Sequence, residues 1–177
     1  YLYLRQKMQI KKDKIKNILI SFGGSDNLNL VLKAINIFDC KELRDKNLLI
    51  PIDKKFIGNK LRYNKIIKKP KNLSKLIHKA DFALGGGGIT TWERMCLGLP
   101  AIIFPISENQ RINSESLNKK KLVYLIKNFE KISIKNLRKK IFKIIKNKDD
   151  LYFKKINGLI NVDGLGSLRV AEILFPS

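Results

Sequence analysis

A run of four glycines, Gly85–Gly88, stands directly between a short apolar segment and a helical pattern. The segment Asp81–Leu84 has the length and composition of a buried strand, and the pattern Thr90–Leu97 ends at a glycine, as helices often do. A similar unit lies upstream, where the apolar run Ile18–Phe22 meets a glycine turn and then a second helical pattern, whose apolar residues recur at helical spacing from Leu28 to Phe38. Two such units restrict the chain to folds in which strands and helices alternate.

The same alternation continues along the rest of the chain. Further strands are predicted at Lys46–Ile52, Asn64–Lys68, Pro100–Ile106 and Lys121–Ile126. Helices are predicted from Asn72 or Ser74 to Ala80, from Glu108 to about Lys119, along Ile134–Ile145, and from about Ser167 onward. The fold class is therefore α/β, a Rossmann-like parallel sheet with helices on both faces. Residues 1–16 are polar and basic and are expected to be a linker, with residues 17–177 as one domain.

Composition limits the classes of protein to which such a chain can belong. Its 177 residues are enough for one domain with a substantial core, and 44% of them are hydrophobic, as in ordinary soluble domains. No apolar run approaches the roughly 20 residues of a membrane span. Cys40 and Cys96 form no CxxC pair and are expected to be buried thiols, which favours a reducing, cytoplasmic setting.

The net charge of +22 suggests an anionic partner, but its distribution argues for a simpler explanation. Lysine greatly outnumbers arginine and is spread along the whole chain, whereas nucleic-acid modules concentrate arginine and aromatic residues or place a basic recognition helix. A lysine-rich solvated surface is therefore the favoured reading. Nucleic acid and membrane are not favoured as partners, and an anionic ligand remains open.

The glycine run Gly85–Gly88 is expected at the edge of the sheet where ligands bind, because the carboxyl ends of parallel strands meet there. Glycines can take positive φ and let another molecule approach the backbone. The following helix start exposes unpaired N–H groups and carries partial positive charge. With the hydroxyls of Thr90 and Thr91, the pattern predicts an anion site, commonly for phosphate. A tight turn without a ligand is the alternative.

Glu93 follows on the first turns of the same helix. A carboxylate there can accept hydrogen bonds from two vicinal hydroxyls, as on a ribose, but it is a poor phosphate ligand. The pattern is not a P-loop, because no lysine follows the glycines in a GKS or GKT arrangement. Ser107–Gln110 lies after the next strand, where it can meet the rest of a ligand, cap a helix through Ser107 with Gln110 at N3, or do both.

Three further features bear on catalysis. Trp92, the single tryptophan, is expected to pack under the glycine loop, with stacking on a ligand as the alternative. His78, the single histidine, is expected at the surface or in helix packing. One histidine cannot form a Ser/His/Asp set or a Cys/His pair within this chain, and no pair of carboxylates has a spacing that requires acid–base catalysis.

The stretch GGGGITTWERMCLGLPAIIFPISENQ, with ILISFGGSD upstream and VDGLGSLRVAEIL downstream, resembles a known group of proteins. It is similar to the C-terminal half of the UDP-sugar hydrolase of the pseudaminic acid pathway and to the spore-coat polysaccharide biosynthesis proteins. More distantly, it resembles the nucleotide-binding half of family 28 glycosyltransferases. The resemblance begins near Ile18 and implies a GT-B architecture, in which two Rossmann-like halves hold the substrate between them, with this chain as the C-terminal half.

The resemblance also implies a set of binding residues and no metal or other cofactor, since helix N-termini would neutralise the diphosphate. The implied contacts are Gly23, Gly24, Ser25, Gly87, Gly88, Ile89, Thr90 and Thr91 at the diphosphate, Glu93 at the ribose, the backbone of Lys71, Asn72 and Leu73 at the uracil edge, and Asn109 and Gln110 at the sugar.

The implied ligand is UDP or a UDP-amino-sugar, and the implied partner is an N-terminal GT-B domain. The leading expectation is a hydrolase that releases UDP and free sugar. A glycosyltransferase of polysaccharide assembly is the first alternative, and a non-enzymatic basic module for nucleic acid or anionic membrane is the second. The hydrolase's proposed catalytic histidine lies in its other half, so this chain is expected to bind nucleotide without turning it over, and its own catalytic residues are unknown.

Overall fold

A computed structural model shows six parallel strands in one sheet. It describes residues 1–7, 14–23, 28–51, 61–62, 64–68 and 72–175, with only the backbone of 65–68. The strands are β1 (Asn17–Ser21), β2 (Asn47–Ile50), β3 (Lys65–Lys68), β4 (Phe82–Gly86), β5 (Ala101–Phe104) and β6 (Tyr124–Leu125). Their order in the sheet is β3-β2-β1-β4-β5-β6, and every neighbouring pair is parallel. The predicted fold class is confirmed.

Eight α-helices lie in the described part of the chain, several of them started by a side-chain cap. They are α1 (Leu2–Gln6), α2 (Leu28–Phe38), α3 (Leu73–Lys79), α4 (Thr90–Cys96), α5 (Glu108–Lys119), α6 (Ile134–Lys146), α7 (Lys148–Asn161) and α8 (Gly166–Leu174). Asn72, Ser133 and Asn147 accept hydrogen bonds from the first free N–H groups of α3, α6 and α7. These caps satisfy donors that a helix start leaves without partners.

The core has two layers because side chains alternate between the faces of each strand. In β1, Ile18 and Ile20 pack into the layer that contains α2 and α6, while Leu19 packs into the layer below α3 and α4. The neighbouring strands β4 and β5 divide their apolar residues in the same way. Helices therefore cover both faces, which explains why the strands read as continuous apolar runs.

Two features differ from the expectation for the chain's organisation. The helix α7 was not predicted, because its apolar residues are interrupted by lysines and asparagines and by Gly158. The segment expected to be a linker contains the packed helix α1, where Arg5 donates to the carbonyls of Cys96, Leu159 and Val162. Those hydrogen bonds hold α1 against α4 and α7. The domain boundary at residue 17 stays a prediction.

The strand order places a change of direction between β1 and β4. From β1 the chain moves outward through β2 to β3, then returns to β4 on the other side of β1 and continues to β6. The loops that leave β1 and β4 therefore diverge at their carboxyl ends and leave a crevice. In open parallel sheets, ligands bind at this point of reversal.

Candidate functional site

The two glycine turns lie side by side at the carboxyl edge of the sheet. Ser21, the last residue of β1, pairs with Gly85 in β4. Gly23 then turns with φ of +88°, a conformation that favours glycine. Apart from its chain neighbours, none of the described residues has an atom within 4 Å of the position where a Cβ would stand. The first turn is therefore open at Gly23, while Gly24 and Ser25 lie outside the described residues.

The glycines of the second turn are explained by close packing within the protein and not by an unusual backbone conformation. None of Gly85–Gly88 has positive φ. A Cβ on Gly85 would stand 1.8 Å from the Ser21 carbonyl oxygen, and one on Gly87 would stand 2.3 Å from the Ser114 hydroxyl. Both distances are far below van der Waals contact. Close approach within the protein, and not positive φ, is therefore what requires glycine at Gly85 and Gly87.

The outer part of the second turn still presents free backbone donors. Gly87 donates its N–H to the Phe104 carbonyl. Within the described part of the chain, no acceptor meets the N–H groups of Gly88, Ile89 and Thr90. Three successive free donors at the start of α4 form an electropositive loop, as the glycine pattern predicted.

The two threonines that follow have different positions. The Thr90 hydroxyl is half-buried and accepts a hydrogen bond from Arg94 at 3.1 Å. Thr91 is fully buried, donates its hydroxyl to the Gly86 carbonyl and donates its N–H to Gly88. Thr91 therefore supports the loop from inside, and a direct contact from Thr91 to a ligand stays a prediction without geometric support.

Glu93 lies on the first turn of α4, half-buried beside the loop. Its Oε2 atom is buried and has no hydrogen-bond partner among the described residues. The Tyr1 phenol lies next to this carboxylate, and burial first and then Glu93 raise the pKa of Tyr1. A buried carboxylate oxygen is costly without a donor, so Glu93 is suited to hydroxyl partners, and the Tyr1 phenol is the one that lies beside it in the described structure.

The helix α5 starts as predicted, but with different side-chain contacts. Ser107 stands at the N-cap position and donates its hydroxyl to Asn109 instead of capping the helix. Gln110 accepts the Ile106 N–H at 3.1 Å, and its amide nitrogen would lie 3.3 Å from a Cβ on Gly88. Gln110 therefore reaches the glycine loop, whereas Asn109 is exposed at the same edge.

The segment predicted to face a base has one clearly defined residue. Asn72 caps α3 by accepting the N–H groups of Ser74 and Lys75, so its side chain is occupied. Leu73 packs partly against the lower core layer. Lys71 lies outside the described residues. The structure places Asn72 and Leu73 just after β3, at the same edge of the sheet as the glycine turns.

Two aromatic or basic residues singled out from sequence are both exposed. Trp92 is 44% exposed, so the prediction that it packs under the loop was wrong. It lies on the outer side of α4, near Ile89, which is 81% exposed. His78 is exposed at the end of α3, as predicted.

The thiols of Cys40 and Cys96 are buried, which confirms the prediction of buried thiols.

Sequence reasoning missed Arg94 and Ser114, which support the loop from beneath. Arg94 is fully buried and donates to the carbonyls of Ser21 and Gly86. Ser114 is fully buried, and its hydroxyl has no partner among the described residues. The available signal was an arginine within the apolar sequence before Met95 and Cys96, where a charged residue needs a specific partner.

A cavity of about 360 Å³ lies elsewhere, at the amino edge of the sheet. It is lined by residues that precede the strands, among them Asp81 and Pro100, and by His78 and Tyr152. We place the candidate site at the opposite edge, where the free donors and Glu93 lie.

Among the described residues, no three acidic, histidine or cysteine side chains are grouped as a metal site. No helix in the described ranges has the length and apolar character needed to cross a membrane.

The strand order, the paired loops and the helices on both faces define the C-terminal half of a GT-B fold. Residues 17–162 match the model of the glycosyltransferase family 28 C-terminal domain, and the chain belongs to that family. It is also 29% identical over 122 residues to the spore coat polysaccharide biosynthesis protein SpsG of Bacillus subtilis, an alignment covering 63% of this chain and 35% of SpsG.

Solved structures show the same fold at low sequence identity. MurG of Acinetobacter baumannii superposes with a TM-score of 0.76 at 16% identity, covering 98% of this chain and 52% of MurG. The spinosyn rhamnosyltransferase SpnG, in complex with thymidine diphosphate, gives a TM-score of 0.70 at 12% identity, covering 90% of this chain and 46% of SpnG. The chain thus spans about a third of SpsG and about half of these two structures.

Proposed function

We propose that this chain is the nucleotide-sugar-binding half of a glycosyltransferase that acts in the synthesis of a surface polysaccharide. The observation that carries the proposal is the free-donor loop Gly88–Thr90 with Glu93 on the next helical turn. Backbone N–H groups suit the pyrophosphate, and the half-buried Glu93 carboxylate suits the ribose hydroxyls, which would take the place of the neighbouring Tyr1 phenol. Membership of the family 28 C-terminal domain group and the thymidine diphosphate bound by SpnG support the same ligand class.

Four further predicted residues are assigned to the same ligand. Gly23 offers an open backbone for the pyrophosphate, and the backbone beside Asn72 is assigned to the base. Gln110, with its amide nitrogen beside Gly88, is assigned together with Asn109 to the sugar or its phosphate. UDP is the nucleotide we propose. A second Rossmann-like half would supply the acceptor and the catalytic base.

Transfer of the sugar to a glycan or lipid acceptor fits the comparisons better than hydrolysis. The family match is to a glycosyltransferase domain, and MurG and SpnG share its fold. The hydrolase of the pseudaminic acid pathway, expected first from the sequence, gains no support from these relatives. In either reaction, the N–H groups of the loop would stabilise the departing nucleoside diphosphate.

Replacing Glu93 with alanine tests the proposal. Calorimetric titration of the 177-residue chain with UDP, and in parallel with dTDP, should show binding that Glu93→Ala weakens by about 1–3 kcal/mol. That loss corresponds to hydrogen bonds between a charged acceptor and the ribose. Glu42→Ala is the matched control, because Glu42 is exposed in the turn before β2, at the amino edge of the sheet.

Two results would contradict the proposal. The absence of both heat and a thermal shift at millimolar UDP or dTDP would show that the site does not bind these nucleotides. If Glu93→Ala and Glu42→Ala changed nucleotide affinity equally, Glu93 would not be a ribose contact. Product analysis of the protein that carries both halves distinguishes the two reactions, because free sugar released without an acceptor would favour the hydrolase.

A further inference from the structure

Arg94 is a buried cation beneath the proposed pyrophosphate loop. Its side chain is fully buried within α4. One terminal nitrogen donates to the Ser21 carbonyl at 2.9 Å and to the Thr90 hydroxyl at 3.1 Å, and the other donates to the Gly86 carbonyl at 3.4 Å. These acceptors end β1, end β4 and begin α4. One guanidinium therefore joins the two strands that lead into the glycine turns and the helix that follows the second turn.

No carboxylate neutralises this charge within hydrogen-bond distance among the described residues, and the Nε atom of Arg94 has no partner there. Burial lowers the pKa of Arg94 to about 10, against the opposing effect of Glu93, so the side chain stays charged at neutral pH. Arginine is rarely buried without an ionic partner, because removing its charge from water is costly. The position of Arg94 therefore calls for a compensating interaction.

Binding of carbonyls does not by itself explain complete burial. Arg138 donates to the carbonyls of Asn36, Ile37 and Asp39 and remains partly exposed. Arg5 also donates to three carbonyls while partly exposed. Arg94 differs from both because it lies directly under the free donors Gly88–Thr90.

The carbonyl dipoles of Ser21 and Gly86 would repel an anion at this edge. The guanidinium of Arg94 offsets them and adds positive potential in a region that water cannot screen. Resting on the proposed function, we infer that Arg94 is a positioning residue, which holds the two glycine turns together and supplies buried positive charge for the pyrophosphate without contacting it.

The test compares Arg94→Met, Arg94→Lys and the matched control Arg138→Met in the 177-residue chain. Calorimetry measures binding of UDP and of UMP, which carries less charge, and thermal melting monitors folding. We expect Arg94→Met to weaken UDP binding by about tenfold or more, and UMP binding by less, because an electrostatic effect grows with ligand charge. Arg94→Lys keeps the charge but loses the fork that spans Ser21, Gly86 and Thr90, so it should bind UDP more weakly than the wild type and more tightly than Arg94→Met.

Arg138→Met should lower the melting temperature and leave both affinities unchanged. The inference is overturned if folded Arg94→Met binds UDP like the wild type, or if it loses UDP and UMP affinity equally. If Arg94→Met does not fold, Arg94→Lys decides: retained UDP binding supports the inference, and loss of binding overturns it. Failure of the wild type to bind UDP or dTDP would instead contradict the proposed function itself.

Discussion

At the scale of single residues, Gly85 shows how closely the two central strands approach. Its missing side chain leaves room for the Ser21 carbonyl and for the guanidinium of Arg94, which would stand 2.7 Å from a Cβ. Backbone atoms on a paired strand cannot move aside without breaking the ladder between β1 and β4. The glycine is therefore needed for packing, independently of any ligand.

Gly85→Ala should lower the free energy of unfolding by about 3 kcal/mol or more, because the added methyl group overlaps backbone that cannot relax. Urea denaturation measures this change. Gly166→Ala is the matched control, since no atom from another described element lies within 4 Å of its Cβ position at the start of α8. It should stay within about 0.5 kcal/mol of the wild type. Equal effects of the two variants would contradict the packing argument.

At the scale of elements, α7 is held to the edge of the sheet through Lys154. This lysine is only 7% exposed, and its ammonium donates to the Lys121 carbonyl at 3.2 Å and lies 4.3 Å from the centre of the Tyr124 ring. Asp150 pairs with it at 3.6 Å. Burial lowers the pKa of Lys154 and raises the pKa of Tyr124, in both cases because water is excluded from the charged form.

Asp150→Ala should destabilise the fold more than Lys154→Met does. Removing the carboxylate leaves the buried ammonium unpaired, at a cost of about 1–3 kcal/mol, whereas methionine replaces the charge with a similar volume. The double variant should recover most of the loss caused by Asp150→Ala alone. Chemical denaturation at pH 7 measures all three. A double variant as unstable as the sum of the single ones would show that the pair does not interact.

At the scale of the whole molecule, α8 leaves an apolar surface uncovered. The exposed apolar residues lie in α8 and directly after it, and they are Leu168, Val170, Ile173, Leu174 and Phe175. This helix lies beyond residues 17–162, which match the family domain, and the chain spans about half the length of MurG and SpnG. On the proposed function, a partner half is expected to cover this surface, because exposed apolar residues in such numbers usually mark contacts.

The chain on its own should therefore self-associate through α8 as its concentration rises. Ile173→Lys places a charge in the centre of the apolar surface and should shift sedimentation toward the monomer. Ile160→Lys is the control, because Ile160 is similarly exposed but lies on α7. Sedimentation unchanged by Ile173→Lys, or changed equally by Ile160→Lys, would exclude α8 as the contact.

The elements that sequence predicted well are those with a local signal. The strands β1, β4 and β5 are short apolar runs bounded by turns, and α2 and α6 have apolar residues at helical spacing, so each was located within a few residues. The placement of both glycine turns at one edge followed from parallel strand direction alone. By contrast, α7 has a weak periodic pattern and was missed.

Local patterns along the chain were sufficient for the alternation of strands and helices, for the edge at which the turns meet, and for Glu93 as a candidate ligand. They could not reveal that Gly85 makes room for Ser21, that Thr91 turns inward, or that Arg94 lies beneath the loop. Arg94 and Ser21 are 73 residues apart, and they meet only because β1 and β4 pair in the sheet. Burial and hydrogen-bond partners depend on such distant contacts, which folding creates and no short window of sequence contains.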